Sequence, residues 1–421
     1  MIKRIILSFS LILSAQAFAQ QGTASPYSYY GIGDLGYNGT NEYKAMGGTS
    51  VYADSLHLNL LNPAAISQLK TTTFTVGSTS KFYNFKSNES NDNIKRQTID
   101  YFVVGLPISK KSAVIFGLQP YSSVGYKIER EQINELNQKK FNQLEGSGGI
   151  NRVFLGTGYE ITKNVQVGLQ ASYFFGSTDN TNQVSILDTG DGFGLISSTN
   201  EKRKIDYKGY EIRAALQYQG KYKDYDWQAN LTYSPETKLT ADNLTNLRVI
   251  NSNGAIVDAK EIFNESIKLT KPQELAIGAG IGKSLKWFVS GQFTYIENSK
   301  LASSWNTAQY AGFEDTKRYA IGGFYIPKYN SFTSYFDRVV YRAGFRYENT
   351  GLVLKNESIN DYAFSLGAGL PLFGRTLSNI NIGLEYGNKG TKNSGLVKEN
   401  YFNLSIGLSL NDFWFLKRKF D

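Results

Sequence analysis

The stretch LAIGAGIGKSLKWFVSGQFTY, residues 275–295, admits two opposed readings. Gly278, Gly280, Gly282, Lys283 and Ser284 have the composition of a phosphate-cradling loop. A P-loop needs G-x-x-x-x-G-K-[ST] after a buried strand and at the start of a helix. Here the place of the first glycine is taken by Ile277. Beyond Ser284, the residues Trp287, Val289, Gly291, Phe293 and Tyr295 keep a period of two instead of turning helical. The stretch is therefore expected to be a β-hairpin. Leu275, Ile277, Ala279 and Ile281 lie on its apolar face, the three glycines on the other, and the chain turns at Lys283 and Ser284.

The same alternation recurs along the chain. It is clear at 165–173, 210–218, 225–233, 362–370, 380–386 and 402–410, and weaker at 71–85, 97–106, 113–126, 151–159, 319–326 and 338–347. With the two arms of the hairpin the strands number about fourteen, an even count of the kind single-chain outer-membrane barrels have. Gly 41, Tyr 29 and Phe 26 against Pro 8 suit strands joined by polar loops.

A water-soluble sandwich would share this alternation, so the environment rests on two further signals. Connections alternate between short (107–111, 162–163, 220–224, 283–286) and long (127–148, 177–203, 236–271, 298–317), as in barrels with short periplasmic turns and long outer loops. The connection 327–337 is longer than that rule wants. Tyr159, Tyr173, Tyr218, Trp227, Tyr233, Trp287, Tyr295 and Tyr386 fall at strand ends in the apolar phase, where two bilayer interfaces would lie. Glu211, Arg213, Arg342, Arg346 and Glu385 fall in the polar phase, away from lipid. An arginine on the lipid face costs roughly 2–4 kcal/mol at the midplane. The fold class expected is all-β, a transmembrane antiparallel barrel.

The first twenty residues, MIKRIILSFSLILSAQAFAQ, read as a secretory leader: Lys3 and Arg4, an apolar run, then Ala17-Phe18-Ala19 before the cleavage point. The expected division is 1–19 signal peptide, 20–70 a polar, glycine-rich plug, and 71–421 the barrel, exported to the bacterial outer membrane. Loss of the leader removes two cations from a net charge of +9. The remaining charge is spread along the chain, which gives no support to nucleic-acid binding. With Cys 0 there are no disulfides or thiolate metal sites. His57 is the single histidine and lies before the first strand, which disfavours a Ser–His–acid enzyme. Residues 188–192, DTGDG, lack EF-hand spacing and read as a solvated turn. No cofactor, metal site or enzymatic activity is expected.

The most specific segment is 44-KAMGGTSVYADSLHLNLLNPAAIS-67. Through Ala45, Gly47-Gly48, Asp54 and Asn62-Pro63-Ala64 it resembles the N-terminal hatch of the FadL/TodX family of outer-membrane transporters for long-chain fatty acids and other hydrophobic molecules. Echoes in the barrel are Pro120-Tyr121-Ser122 with Val124-Gly125-Tyr126, Tyr233-Ser234-Pro235, and Leu269 with Pro272. The resemblance implies a fourteen-stranded barrel with a hatch in its lumen, a lipophile taken from outer loops to a lumenal site, and, in some members, sideways release where the third strand kinks. Pro120 and Gly125 mark either such a lateral opening or a simple bulge. Arg213, Arg342 and Arg346 would either hold a carboxylate head group or be neutralised by Glu211, Glu348 and Glu385.

Two features depart from the family pattern. The outer segments 129–144 and 178–199 are charged or polar rather than apolar, and a basic tail, Lys417-Arg418-Lys419, follows the terminal aromatics. Two functions are therefore expected from different classes. One is passive uptake of hydrophobic small molecules. The other is a structural or accessory role in a larger outer-membrane secretion or protein-assembly complex. The partners implied are outer-membrane lipids, a hydrophobic ligand and other outer-membrane proteins.

Overall fold

The computed structural model describes residues 22–413, apart from 89, 134–137, 189–193, 264–265, 304–310 and 373–376. The leader, the basic tail and residues 189–192 of the DTGDG turn lie outside the described residues.

The wall is a closed, fourteen-stranded antiparallel β-barrel. In chain order its strands are β1 (Thr72–Lys86), β2 (Asn91–Pro107), β3 (Ser112–Ile133), β4 (Lys139–Thr162), β5 (Val165–Asp188) and β6 (Gly194–Tyr222). β7 runs as Tyr225–Ser234 and continues upward as Thr237–Asn251; β8 descends as Ile256–Phe263, Ile267–Lys271 and Glu274–Lys283. There follow β9 (Trp287–Ile296), β10 (Thr316–Tyr325), β11 (Val340–Leu354), β12 (Glu357–Pro371), β13 (Asn379–Lys389) and β14 (Lys398–Asp412). β14 pairs with β1 from Lys398↔Lys86 to Asp412↔Thr72, which closes the cylinder.

The hairpin expected at 275–295 is the β8–β9 pair, with Leu275 opposite Tyr295 and Lys283 opposite Trp287. Leu275 and Ile277 are exposed on the outer face, whereas a Cβ on Gly278 would lie 2.5 Å from Val51 inside the lumen. The glycine face thus looks inward, and it leaves room for the segment that fills the barrel. Tyr210 and Tyr218 on β6, and Trp287 and Tyr295 on β9, are each eight residues apart in the outward phase. That spacing corresponds to roughly 26 Å of strand, close to the apolar band a barrel presents to lipid.

The stretches expected to be long loops at 127–148, 177–203 and 236–271 are mostly strand. β6 alone is 29 residues long, whereas roughly 9–11 cross a bilayer. Beyond the membrane both faces of the ribbons meet water, so selection for alternation lapses and the period-two signal fades. The upper parts of β3 to β8 form a six-stranded sheet standing clear of the barrel rim. Its outer strands, residues 127–133 of β3 and Ile256–Phe263 of β8, each pair on one side only among the described residues.

Candidate functional site

Residues 22–71 lie against the inward faces of the wall strands. Two wall patches lack side chains where the segment's backbone touches them. A Cβ on Gly322 would sit 2.1 Å from the Met46 carbonyl oxygen, and one on Gly344 would sit 2.1 Å from the Gly47 nitrogen. On the opposite side a Cβ on Gly168 would lie 2.2 Å from the Pro63 carbonyl carbon, and one on Gly158 would lie 2.4 Å from the Ser67 nitrogen. Gly47 and Gly48 have φ of +69° and +83°, the left-handed region that glycine occupies without strain.

Neutral amides then fasten the segment. Gln217 on β6 accepts from Asn62 Nδ2 at 2.6 Å and donates to the Val51 carbonyl at 3.1 Å. Gln228 on β7 accepts from the Ala53 nitrogen at 2.8 Å, and Gln292 on β9 from the Ser50 nitrogen at 2.6 Å. The Gly47 nitrogen donates to Ser365 on β12 at 3.0 Å. Asn62 also caps the 3₁₀ turn Pro63–Gln68 by accepting from the Ala64 nitrogen. Pro63 fits that first position because it has no N–H to satisfy. Below, Leu58, Leu60, Ile66 and Leu69 form one apolar cluster with Tyr101, Val103, Ile115 and Phe154 of the wall. Each such side chain, once buried, contributes about 1.5–3 kcal/mol, so the fit is stable as well as specific.

The third strand is where the wall is incomplete. β2 and β3 pair only from Phe102↔Leu118 to Pro107↔Ala113. Above that level β2 pairs only with β1, and β3 with β4, leaving a gap. Pro120 lies at a register shift between Pro120 and Ser122 in the β3–β4 ladder. The gap is covered by the N-terminal segment itself. Asp34 and Leu35 pair with Ser123 and Ser122, Gly125 N donates to Ser28 Oγ at 3.1 Å, and Arg96 of β2 donates to the Thr23 carbonyl. A Cβ on Gly125 would lie 2.1 Å from that same Thr23 oxygen, so glycine is required for the cover to seat. Asp34 is tied across the mouth to Lys389 of β13 at 2.6 Å.

The three arginines have distinct surroundings. Arg213 pairs with Glu274 at 3.0 Å and Glu211 at 3.7 Å; Arg346 pairs with Asp361 at 3.1 Å and Glu385 at 3.8 Å. Arg342 has no carboxylate within pairing distance among the described residues and donates to Asn381 at 2.9 Å. It borders an apolar cavity of about 160 Å³, open to solvent, lined by Met46, Leu56, Leu285, Phe324, Ile326 and Leu377 near the periplasmic turns. Glu348 engages Arg318 at 2.7 Å instead of Arg346.

Sequence reasoning missed Arg152, which is fully buried beside Glu211 at 3.7 Å, and Lys271, which meets Glu211 at 2.9 Å. Their inward phase was the available signal, but both lie in runs too weakly patterned to give a register.

His57 is half-buried against Asp54, Nδ1 to Oδ2 at 2.6 Å, with Nε2 3.2 Å from Asn379 of β13. Burial opposes charge on the imidazole, yet the adjoining carboxylate prevails and holds its pKa above the usual 6.5. Burial likewise opposes charge on Asp54, but His57 and the Leu56 and His57 backbone N–H groups hold it below 3.8. Through Asn379 the pair latches the segment to the wall.

Solved structures share this architecture. The Pseudomonas putida toluene transporter TodX is similar at TM-score 0.61 and 15% identity, covering 90% of this chain and 100% of that one. A Pseudomonas aeruginosa FadL homologue is similar at 0.58 and 14%, covering 91% and 99%, and the CymD monoaromatic hydrocarbon channel at 0.56 and 14%, covering 90% and 98%. The fold is therefore that of the FadL-type hydrophobic-compound channels. No curated protein matches the sequence. The family model that matches, over residues 1–421, is BamG, and the chain belongs to the BamG family.

Proposed function

We propose that this chain is an outer-membrane barrel that works as a subunit of a larger outer-membrane secretion or protein-assembly complex, its lumen held shut by its own N-terminal segment. The carrying observation is the six-stranded sheet above the barrel. It is polar, it projects beyond the apolar band, and both of its edges, residues 127–133 and Ile256–Phe263, are exposed along nearly their whole length. An unpaired strand edge offers a row of backbone donors and acceptors to another chain. The aromatic girdles and the fold likeness support the outer-membrane location, reached through cleavage after Ala19. Below the membrane, the long turn at 327–339 presents Phe332 and Phe336, 101% and 70% exposed, as a second contact surface.

Photo-crosslinking tests the proposal in native membranes, with the photoreactive residue at Glu131 or Lys260 on the edges and at Leu169 on the lipid face. Discrete adducts with another outer-membrane protein at the edge positions are expected. Adducts at neither edge, with the chain recovered only as a monomer, would overturn it.

A second reading is passive uptake of hydrophobic small molecules such as long-chain fatty acids. The apolar cavity beside Arg342 favours it, as does the likeness to a toluene transporter and a monoaromatic hydrocarbon channel. Uptake of such compounds that falls when the chain is deleted, and returns with its re-expression, would select this reading over the first.

A further inference from the structure

The outward faces of β13, β14, β1 and β2 carry their side chains in rows. Tyr386, Phe402, Phe82 and Lys95 stand opposite one another across the four strands. Phe82 and Phe402 have ring centroids 6.1 Å apart, and Lys95 Nζ lies 5.2 Å from the Phe82 centroid. This row continues the outer aromatic girdle. The next row up is Asn388, Asn400, Asn84 and Asn93, again in register. Each donates its amide to the following one, at 2.5, 3.5 and 2.8 Å. Such a link uses one N–H and one lone pair, so Asn400 and Asn84 keep a second of each. Above them, Lys398 stands directly opposite Lys86. Neither has an ion pair among the described residues, and like charges so opposed repel. These two rows lie two and four residues beyond Phe82, roughly 7 and 14 Å along a tilted strand, at the level of the outer-leaflet headgroups.

Below the aromatic row the same face departs from the lipid-facing pattern. Ser80 and Gln97 oppose each other in the outward phase, and neither side chain has a hydrogen-bond partner among the described residues. Elsewhere between the two girdles the described outward residues are apolar or glycine. The exceptions are Ser78 and Thr157, whose hydroxyls donate to the Thr98 and Ala113 carbonyls. An amide such as that of Gln97 finds no partner among plain acyl chains and is costly there.

Four chemistries are thus stacked along the membrane normal. Ser80 and Gln97 suit hydroxyl or amide groups at the heads of acyl chains, and the rings suit an apolar contact. The amide row suits sugar hydroxyls, and a phosphate dianion would bridge Lys86 and Lys398. A second copy of the chain does not complete the face, because the same surface would bring further lysines to the same level. We infer that this face of the wall is a binding site for a phosphorylated glycolipid of the outer leaflet. The inference needs only that the barrel spans the outer membrane, and it is independent of the subunit reading.

Native mass spectrometry of the detergent-solubilised full chain tests it, titrated with lipid A, dephosphorylated lipid A or phosphatidylglycerol. Lipid A should bind at least about tenfold more tightly than either of the others, because only it carries both the sugar and its phosphates. Lys86→Ala with Lys398→Ala should bring lipid A down to the level of its dephosphorylated form, whereas Lys86→Arg with Lys398→Arg should retain it. Lys110→Ala with Lys111→Ala removes the same charge from the exposed turn between β2 and β3 at the opposite rim, and should bind as wild type. In native membranes a photoreactive residue at Ser80 should capture glycolipid. Equal binding of lipid A with and without its phosphates, or of lipid A and phosphatidylglycerol, would overturn the inference. So would undiminished binding in the Lys86 and Lys398 alanine variant, or capture of a polypeptide at Ser80 in place of glycolipid.

Discussion

Gly344 of β11 faces Gly47 of the lumenal segment so closely that a Cβ on Gly344 would lie 2.1 Å from the Gly47 nitrogen. Neither backbone can retreat easily, because Gly47 is also bonded to Ser365 at 3.0 Å. The wall here is shaped by the absence of side chains, and the segment fits because of it.

Gly344→Val should therefore push the segment off its seat. Overpacking of this kind costs about 1–3 kcal/mol. Limited proteolysis of the folded barrel is expected to cut within residues 22–71 in the variant and not in the wild type. Equal resistance would mean the segment is held elsewhere.

Asn62→Ala removes both the cap on Pro63–Gln68 and the 2.6 Å bond to Gln217. The cap is worth about 1 kcal/mol, and the buried Gln217 oxygen left without that donor adds a further about 1–3 kcal/mol. Thermal unfolding followed by heat-modifiable migration should show a lower midpoint, with the folded barrel still forming at low temperature. An unchanged midpoint would remove Asn62 from the account.

The His57–Asp54 latch sets a pH window. His57 has a folded pKa above 6.5, so its stabilisation is complete below 6.5 and is lost as pH rises through the folded value. Asp54 has a folded pKa below 3.8, so its share is present above 3.8 and is lost as pH falls through the folded value. The latch is strongest between those limits. Because the sequence holds one histidine, a single imidazole resonance reports it. Titration above 6.5, falling toward the ordinary value in Asp54→Asn, is expected; a midpoint below 6.5 in the wild type would contradict the pairing.

The cover over the β2–β3 gap can be trapped. Leu35 is the register partner of Ser122, and the sequence has no native cysteine to interfere. Leu35→Cys with Ser122→Cys should form a disulfide spontaneously on export, seen as a mobility shift reversed by reductant, because directly opposed residues lie within bridging range. Failure to oxidise would place Leu35 away from the gap.

The sequence made the membrane-crossing part of the fold legible and little else. Leu275, Ile277, Phe293 and Tyr295 announce their face because one side meets lipid and the other the lumen. Residues 178–187 and 197–203 give no such signal, since both faces of their ribbons are wet, and they read as loop. The arginines fall inward by phase, and of the three expected carboxylates Glu211 and Glu385 do meet Arg213 and Arg346, at 3.7 and 3.8 Å, whereas the third does not. Glu348 engages Arg318, a choice made by neighbours on adjacent strands rather than by spacing along one. Gln217, Gln228 and Gln292 were equally silent, because an inward glutamine looks the same in sequence whether it holds a segment or faces water. The Asp34–Leu35 cover left no trace either: two residues of pairing are too short for any period.

The central claim is that the described conformation is shut, both along its axis and through the gap beside Pro120. Planar-bilayer recording on the purified full chain tests it most directly. The wild type should pass no steady current above the bare bilayer, and Gly344→Val should introduce one as its segment is displaced. A stable ohmic conductance from the wild type would contradict the claim.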